Sequence, residues 1–203
     1  MDDKEREQAL LTALTTEHFV LQTSRSATVA ESVGRATIFL STVSAALIGL
    51  GFAAGKSTLI GPYLGAVLPT LLVLGWLTFV RLVENGVENM VDVARMRRIR
   101  AYYHERIGGG TDFFADAVDP GREWAITGSA SSEGLRPLLS TSAALIGALN
   151  ALLTGVGTVL LLGPLAGVDS AASIVAGVLV GTVVFVGHLR YTRRSFDRAL
   201  ANM

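Results

Sequence analysis

Four long apolar runs divide the chain, separated by amphipathic or polar stretches. They cover about Ala36–Ala54, Ile60–Val83, Leu138–Leu162 and Ala171–His188. Each approaches the roughly 20 residues that a helix needs to cross about 30 Å of hydrocarbon. Arg81 is the one charged residue inside these limits. The first run lies behind an acidic segment, Asp2, Asp3, Glu5 and Glu7. It therefore reads as a span and not as a signal peptide, which would begin with a short basic region.

The polar stretches carry a helical period of their own. Leu11, Leu14, His18 and Leu21 follow a 3-4-3 spacing within a predicted helix over residues 3–32. The second span has no stop signal at its far end: Val80, Val83, Val87, Met90, Ala94, Arg97 and Ala101 continue the pattern, and no proline occurs from Leu71 through Asp119. The helix is expected to run to about Ile107, where Gly108-Gly109-Gly110 ends it. One side carries a charged stripe, Glu84, Glu88, Asp92, Arg95 and Arg98. It reads either as a solvated face or as the wall of a cytoplasmic vestibule or docking surface. The seam Val83-Val87-Met90-Ala94 needs a partner, and the N-terminal helix is the nearest one of suitable character. An antiparallel arrangement would bring its acidic start towards Arg95–Arg100. Thr111–Arg136 is rich in turn signals, with Phe113, Phe114 and Trp124 as packing residues.

Composition agrees with the hydropathy. Half of the 203 residues are hydrophobic and 17% are charged, below the roughly 25% of soluble domains. The expected fold is an all-α integral membrane protein with four transmembrane helices and a helical cytoplasmic layer. Its segments are residues 1–35, a cytoplasmic amphipathic helix; 36–83, a first transmembrane hairpin; 84–136, a cytoplasmic extension and loop; 137–188, a second hairpin; and 189–203, a basic tail. Lys and Arg balance Asp and Glu at 17 each, yet they are distributed unevenly. Only Lys56 lies in the two short loops, and the other sixteen flank the opposite ends of the spans. The positive-inside rule then places both termini in the cytoplasm of a cell (plasma or inner) membrane. Fifteen of the basic residues are Arg, and with the Ala/Gly/Val richness this suggests a high-GC bacterial source.

Two patterns recur within the spans. Ser44–Gly49 and Ser142–Gly147 share the string SAALIG, and Gly75 and Gly181 are each followed four residues later by Phe-Val. Both suggest a duplicated two-helix hairpin. Small residues also repeat every fourth position: Ser41, Ala45, Gly49 and Ala53 in the first span, and Ala143, Gly147, Ala151 and Gly155 in the third. Such stripes let helix backbones approach closely in a membrane. They predict that the first and third spans cross at the bundle centre. Asn150, Thr154 and Thr158 form a polar stripe at mid-depth, suited to an interhelical hydrogen bond or to the lining of an uncharged pore.

No catalytic motif survives inspection. Gly55-Lys56-Ser57-Thr58 resembles the end of a phosphate-binding loop, but Leu50 stands where that motif needs glycine. His18, His104 and His188 lack metal-ligand spacing, and the absence of Cys removes thiolate chemistry and disulfides. His188 reads as an interfacial residue. The expectation is a non-enzyme with no metal or cofactor and no nucleic-acid partner. The lipid bilayer and further copies of the chain are the expected partners, with an unidentified cytoplasmic protein as another. A homo-oligomeric ion channel or channel-like pore with a cytoplasmic helical vestibule is the first functional reading. The alternative is a non-conducting scaffold, sensor or effector subunit.

Overall fold

The computed structural model describes residues 2–106 and 141–202, and the described chain is helical throughout. Helix α1 spans Asp3–Ala54, α2 Ser57–Arg106, α3 Ser142–Leu160 and α4 Ser170–Ala201. Each contains a stretch long and apolar enough to cross a membrane. The glycine stop at 108–110 and the turn-rich segment at 111–136 lie outside the described residues.

Local chemistry sets the helix ends. Asp2 caps α1 through the Asp3 amide at 2.7 Å, and Glu5 accepts from the Asp2 amide at 3.0 Å. This reciprocal box satisfies donors that have no partner inside the helix. Thr141 caps α3 by accepting from the Ala144 amide, and Asp169 caps α4. After α3 the backbone widens into a π-turn over Leu161–Leu165 and then reverses through Gly167, whose φ of 69° suits a residue without Cβ. Pro62 and Pro69 lie within α2 without ending it.

α1 and α2 form one long antiparallel hairpin joined by Gly55 and Lys56. With 52 and 50 residues, they extend about 75 Å at 1.5 Å per residue. On α1 the covered positions include Leu11, Leu14, His18, Leu21, Thr28, Ser32, Ala36, Phe39, Val43, Ala46, Leu50 and Ala53. With Arg25, which is exposed but reaches across to α2, filling its place, successive positions from Leu11 to Ala53 lie three or four residues apart. A seam with this period of about 3.5 is the signature of left-handed coiled-coil packing. The predicted Leu11–Leu21 stripe is therefore one end of a seam that runs from Leu11 to Ala53.

Two apolar clusters sit along that hairpin. Near its middle, Phe39 and Val43 of α1 meet Leu71, Phe79, Leu82 and Val83 of α2 and Ala143 and Ile146 of α3. Near the termini, Leu21 packs with Val93, Met96 and Ile99, flanked by Leu14 and Tyr103. The expected partnership of the N-terminal helix with the α2 extension is present, and the predicted α2 face matches in part: Val83 packs with Phe39 and Val43 and Met90 is buried, but the face shifts farther out. Ala94 lines a cleft towards the C-terminal end of α4, while Val93, Met96 and Ile99 meet α1. Thr15 lies beside Tyr103 at 3.0 Å and Arg25 beside Asn89 at 2.9 Å. This register carries Asp2–Glu7 beyond Arg106, so the acidic start does not lie opposite Arg95–Arg100.

The second hairpin, α3 and α4, packs against α2, and α1 meets α3 only marginally. The predicted crossing of the first and third spans is thus replaced by crossings of α2 with α3 and of α3 with α4. The SAALIG strings occupy unlike positions. Gly49 lies near the distal end of α1, whereas Gly147 lies near the start of α3 at the end of the bundle that carries the termini. They do not mark equivalent places in a repeated hairpin.

Candidate functional site

The small-residue stripes separate into two behaviours. In α3, Ala143, Gly147, Ala151 and Gly155 are all buried. A Cβ on Gly155 would lie 2.9 Å from the Gly177 carbonyl oxygen, and one on Gly181 would lie 3.0 Å from that of Ala151. Backbone therefore touches backbone where α3 crosses α4. A Cβ on Gly147 would meet the His188 side chain at 3.2 Å. In α1, Ala53 is buried and Gly49 accommodates the ring of Tyr63, whose hydroxyl donates to the Ala46 carbonyl at 2.6 Å. Ser41 and Ala45 are exposed among the described residues.

The polar stripe of α3 is buried at Asn150 and half-buried at Thr154 and Thr158. Asn150 is 3% exposed and faces Gly75 of α2, where a Cβ would overlap its carboxamide. Neither of its amide atoms has a hydrogen-bond partner among the described residues. The interhelical hydrogen bond expected of it is absent there. Thr154 and Thr158 donate to the carbonyls of Asn150 and Thr154 in their own helix. His188 is 5% exposed, not interfacial: it stacks edge-on against Phe79 with ring centroids 4.2 Å apart and against Trp76 at 5.4 Å.

The charged stripe of α2 divides among three environments. Glu84 pairs with Arg81 one turn earlier at 3.2 Å, Glu88 is exposed, and Asp92 is buried. Arg95 and Arg98 line the cleft of about 360 Å³ that opens towards Ala199 and Asn202 of α4.

The densest polar arrangement was not singled out in the sequence. It lies between the two apolar clusters, where α1 and α2 carry polar residues in their shared seam. Asn85 is 1% exposed and donates through Nδ2 to Ser32 Oγ at 3.1 Å and to the Thr28 carbonyl at 3.5 Å. Its Oδ1 has no partner among the described residues. On the adjoining face Arg81 donates to Glu31 through Nε at 3.1 Å, and Arg35 donates to the same carboxylate at 2.8 Å. A groove of about 190 Å³ opens over Asn85, between α1, α2, the start of α3 and the last turns of α4. The signal in the sequence is Asn85 and Asn89 at seam spacing after Leu82, opposite Thr28 and Ser32 at seam spacing after Leu21.

Among the described residues, Glu31 is the carboxylate whose titration is clearly displaced. The hydrogen bond from Arg81, then that from Arg35, lowers its pKa from about 4.5 to about 2. A depressed carboxylate contributes stability that is fully present above about pH 4.5 and is lost as the pH falls towards about 2. Both partners are partly exposed, so the effect is small. Glu31→Gln is expected to flatten the acid limb of a melting-temperature profile in detergent between those values. Superimposable profiles for the two proteins would show that the network contributes nothing.

The chain matches no protein-family model, no curated protein and no solved structure.

Proposed function

We propose that this protein is a multi-pass membrane scaffold or signal-transmitting subunit that acts through its terminal helical hairpin and does not conduct ions. In this reading the bundle crosses the cell membrane four times with both termini in the cytoplasm. The observation that carries it is the unbroken α1–α2 seam. The same helices that supply two spans continue beyond their apolar stretches, by about 50 Å for α1 and about 35 Å for α2. A displacement or rotation within the membrane would be carried outward by rods that have no hinge among the described residues.

The polar stripe supports the non-conducting choice over the pore that the sequence first suggests. Asn150 is buried within the subunit, Thr154 and Thr158 are half-buried with their hydroxyls bonded to their own helix, and the outward faces of the spans are largely apolar, with Leu47, Ile48, Leu152, Val178 and Val183 all exposed. One observation favours the pore: Ser41, Ser44 and Ala45 form an exposed small-residue face on α1 that several copies could assemble around.

Purified protein in liposomes decides between them. No K⁺, Na⁺ or Cl⁻ flux above protein-free vesicles is expected, and flux that scales with an oligomeric species would restore the pore. Topology is tested separately in this Cys-free chain. Ser170→Cys is expected to react with an impermeant thiol reagent applied to intact cells, while Gln8→Cys and Asn202→Cys remain unlabelled until the membrane is opened. Labelling of Asn202→Cys in intact cells would reverse the orientation.

A further inference from the structure

The floor of the groove over Asn85 has a one-sided hydrogen-bonding character. Thr28 Oγ1 donates to the Ser24 carbonyl at 2.9 Å, Ser32 Oγ to the Thr28 carbonyl at 2.9 Å and Thr192 Oγ1 to the His188 carbonyl at 3.0 Å. The Asn85 amide protons are directed to Ser32 and Thr28. With these donors already committed, the floor of the groove offers oxygens: Asn85 Oδ1, lacking a partner among the described residues, and the hydroxyl oxygens of Thr28 and Thr192, while Asn89, Thr141 and Ser142 add further polar groups elsewhere in the lining. A hydroxyl whose proton is committed can still accept. A buried acceptor without a donor is costly, so the wall favours a ligand rich in N–H or O–H groups.

The remaining walls define what else the ligand carries. Val29, Val33, Leu82 and Phe196 make them apolar, and no lining side chain among the described residues is charged. Val29 and Val33 are 50% and 60% exposed, so the groove opens on the outer side of α1. At its rim Asn89 accepts from Arg25 Nε at 2.9 Å, which sets a guanidinium beside the opening. An uncharged lining favours a ligand of zero net charge. The donor-seeking floor and the cation at the rim fit a zwitterion with an ammonium inside and a phosphate outside. The groove lies just beyond the apolar stretches of α1 and α2, where lipid headgroups meet an inserted bundle. Its volume of about 190 Å³ is several times the roughly 30 Å³ share of one water.

We propose that this groove binds the headgroup of a zwitterionic aminophospholipid from the cytoplasmic leaflet, with its primary ammonium donating to Asn85 Oδ1 and the Thr28 and Thr192 hydroxyls, its phosphate beside Arg25 and an acyl chain along Val29 and Val33. The assignment rests on the membrane-inserted reading above and is independent of whether the protein conducts.

The test uses the full chain purified in detergent, with bound lipid counted by native mass spectrometry. Phosphatidylethanolamine, its N-methyl and N,N-dimethyl derivatives and phosphatidylcholine keep the charge and remove N–H donors one at a time. Retention is expected to fall along the series, by at least about tenfold from first to last, the equivalent of one charge-assisted hydrogen bond. Equal retention of the first and last members, or stronger retention of phosphatidylglycerol, would overturn the proposal. Displacement by millimolar water-soluble phosphoethanolamine would overturn the assignment to a lipid. Asn85→Leu is expected to flatten the series. Thr192→Val leaves the α1–α2 seam intact and is expected to reduce the slope, so the result does not depend on the folding of one variant. An undiminished series in both folded variants would place lipid selectivity elsewhere. The cysteine-labelling pattern reports insertion without reference to headgroup, so failure of the membrane reading is seen separately.

Discussion

Gly155→Leu is expected to prevent stable pairing of α3 with α4, with a loss of at least about 3 kcal/mol, the upper range for overpacking. The reason is the identity of the neighbour. At Gly155 a new Cβ meets the Gly177 carbonyl, and at Gly177 it meets that of Gly155 at 2.6 Å. A flexible side chain can rotate away from an intruding methyl group, but backbone at a helix crossing can yield only if the helices separate. Separation also uncovers Ala151 and Gly147 and frees His188 from its packing. Gly147→Leu should therefore be damaging but less so, because its obstacle is a side chain. Val73→Leu and Val180→Leu serve as controls, since Val73 is 60% and Val180 38% exposed. Thermal melts in detergent and yield of the monodisperse species give the ranking. Equal stability of Gly155→Leu and Val73→Leu would mean that α3 and α4 do not cross here.

The second large effect is expected at Leu21. This side chain is 4% exposed and joins α1 to Val93, Met96 and Ile99. Leu21→Asp removes its apolar contacts and places a carboxylate among theirs. Local separation of the hairpin relieves the buried charge, so the loss is bounded by the lost packing, about 2–5 kcal/mol. The expected result is rapid proteolysis in residues 3–30 while the rest of the bundle remains folded. Leu14→Asp should be milder because Leu14 is only half-buried. Glu7→Ala is expected to fall within about 0.5 kcal/mol of wild type, as an exposed position normally does. Deletion of residues 2–9, all exposed, should be tolerated, whereas deletion of 2–34 should not. An unchanged melting temperature and proteolytic pattern after the longer deletion would refute the role of this helix.

These cases show where the sequence was informative. Beyond the spans, water separates the two faces of a helix, and Leu11, Leu14, His18 and Leu21 could be read directly as a seam. Inside the spans that contrast disappears, because lipid is as apolar as the protein core. Phe39 is fully buried and neighbouring Leu40 is 39% exposed, yet the two are alike in hydropathy. Small residues restore part of the information: the α3 stripe was identified as a packing face, but its composition did not say that α4 would occupy it. The position of His188 at the end of a span suggests an interface, while the pocket that buries it is made by Phe79 and Gly147 on two other helices, one of them far away in the chain. Asn85 was passed over because a lone polar residue in an amphipathic helix resembles its solvated neighbours until its opposite, Ser32, is known.

The two-residue connection at Gly55–Lys56 gives the long hairpin a direction of growth. Pairing that begins beside the turn closes a short loop, while the contact of Thr15 with Tyr103 closes one of 88 residues. If it formed first, that distant contact would carry the larger chain-closure entropy. When it forms last, each preceding contact has already supplied most of the restraint. The hairpin should then zip outward from the turn, and its free ends should fray first. Amide hydrogen exchange along α1 would accordingly slow from the neighbourhood of Asp3 towards Phe39, a gradient set by connectivity as well as by the chemistry of the side chains.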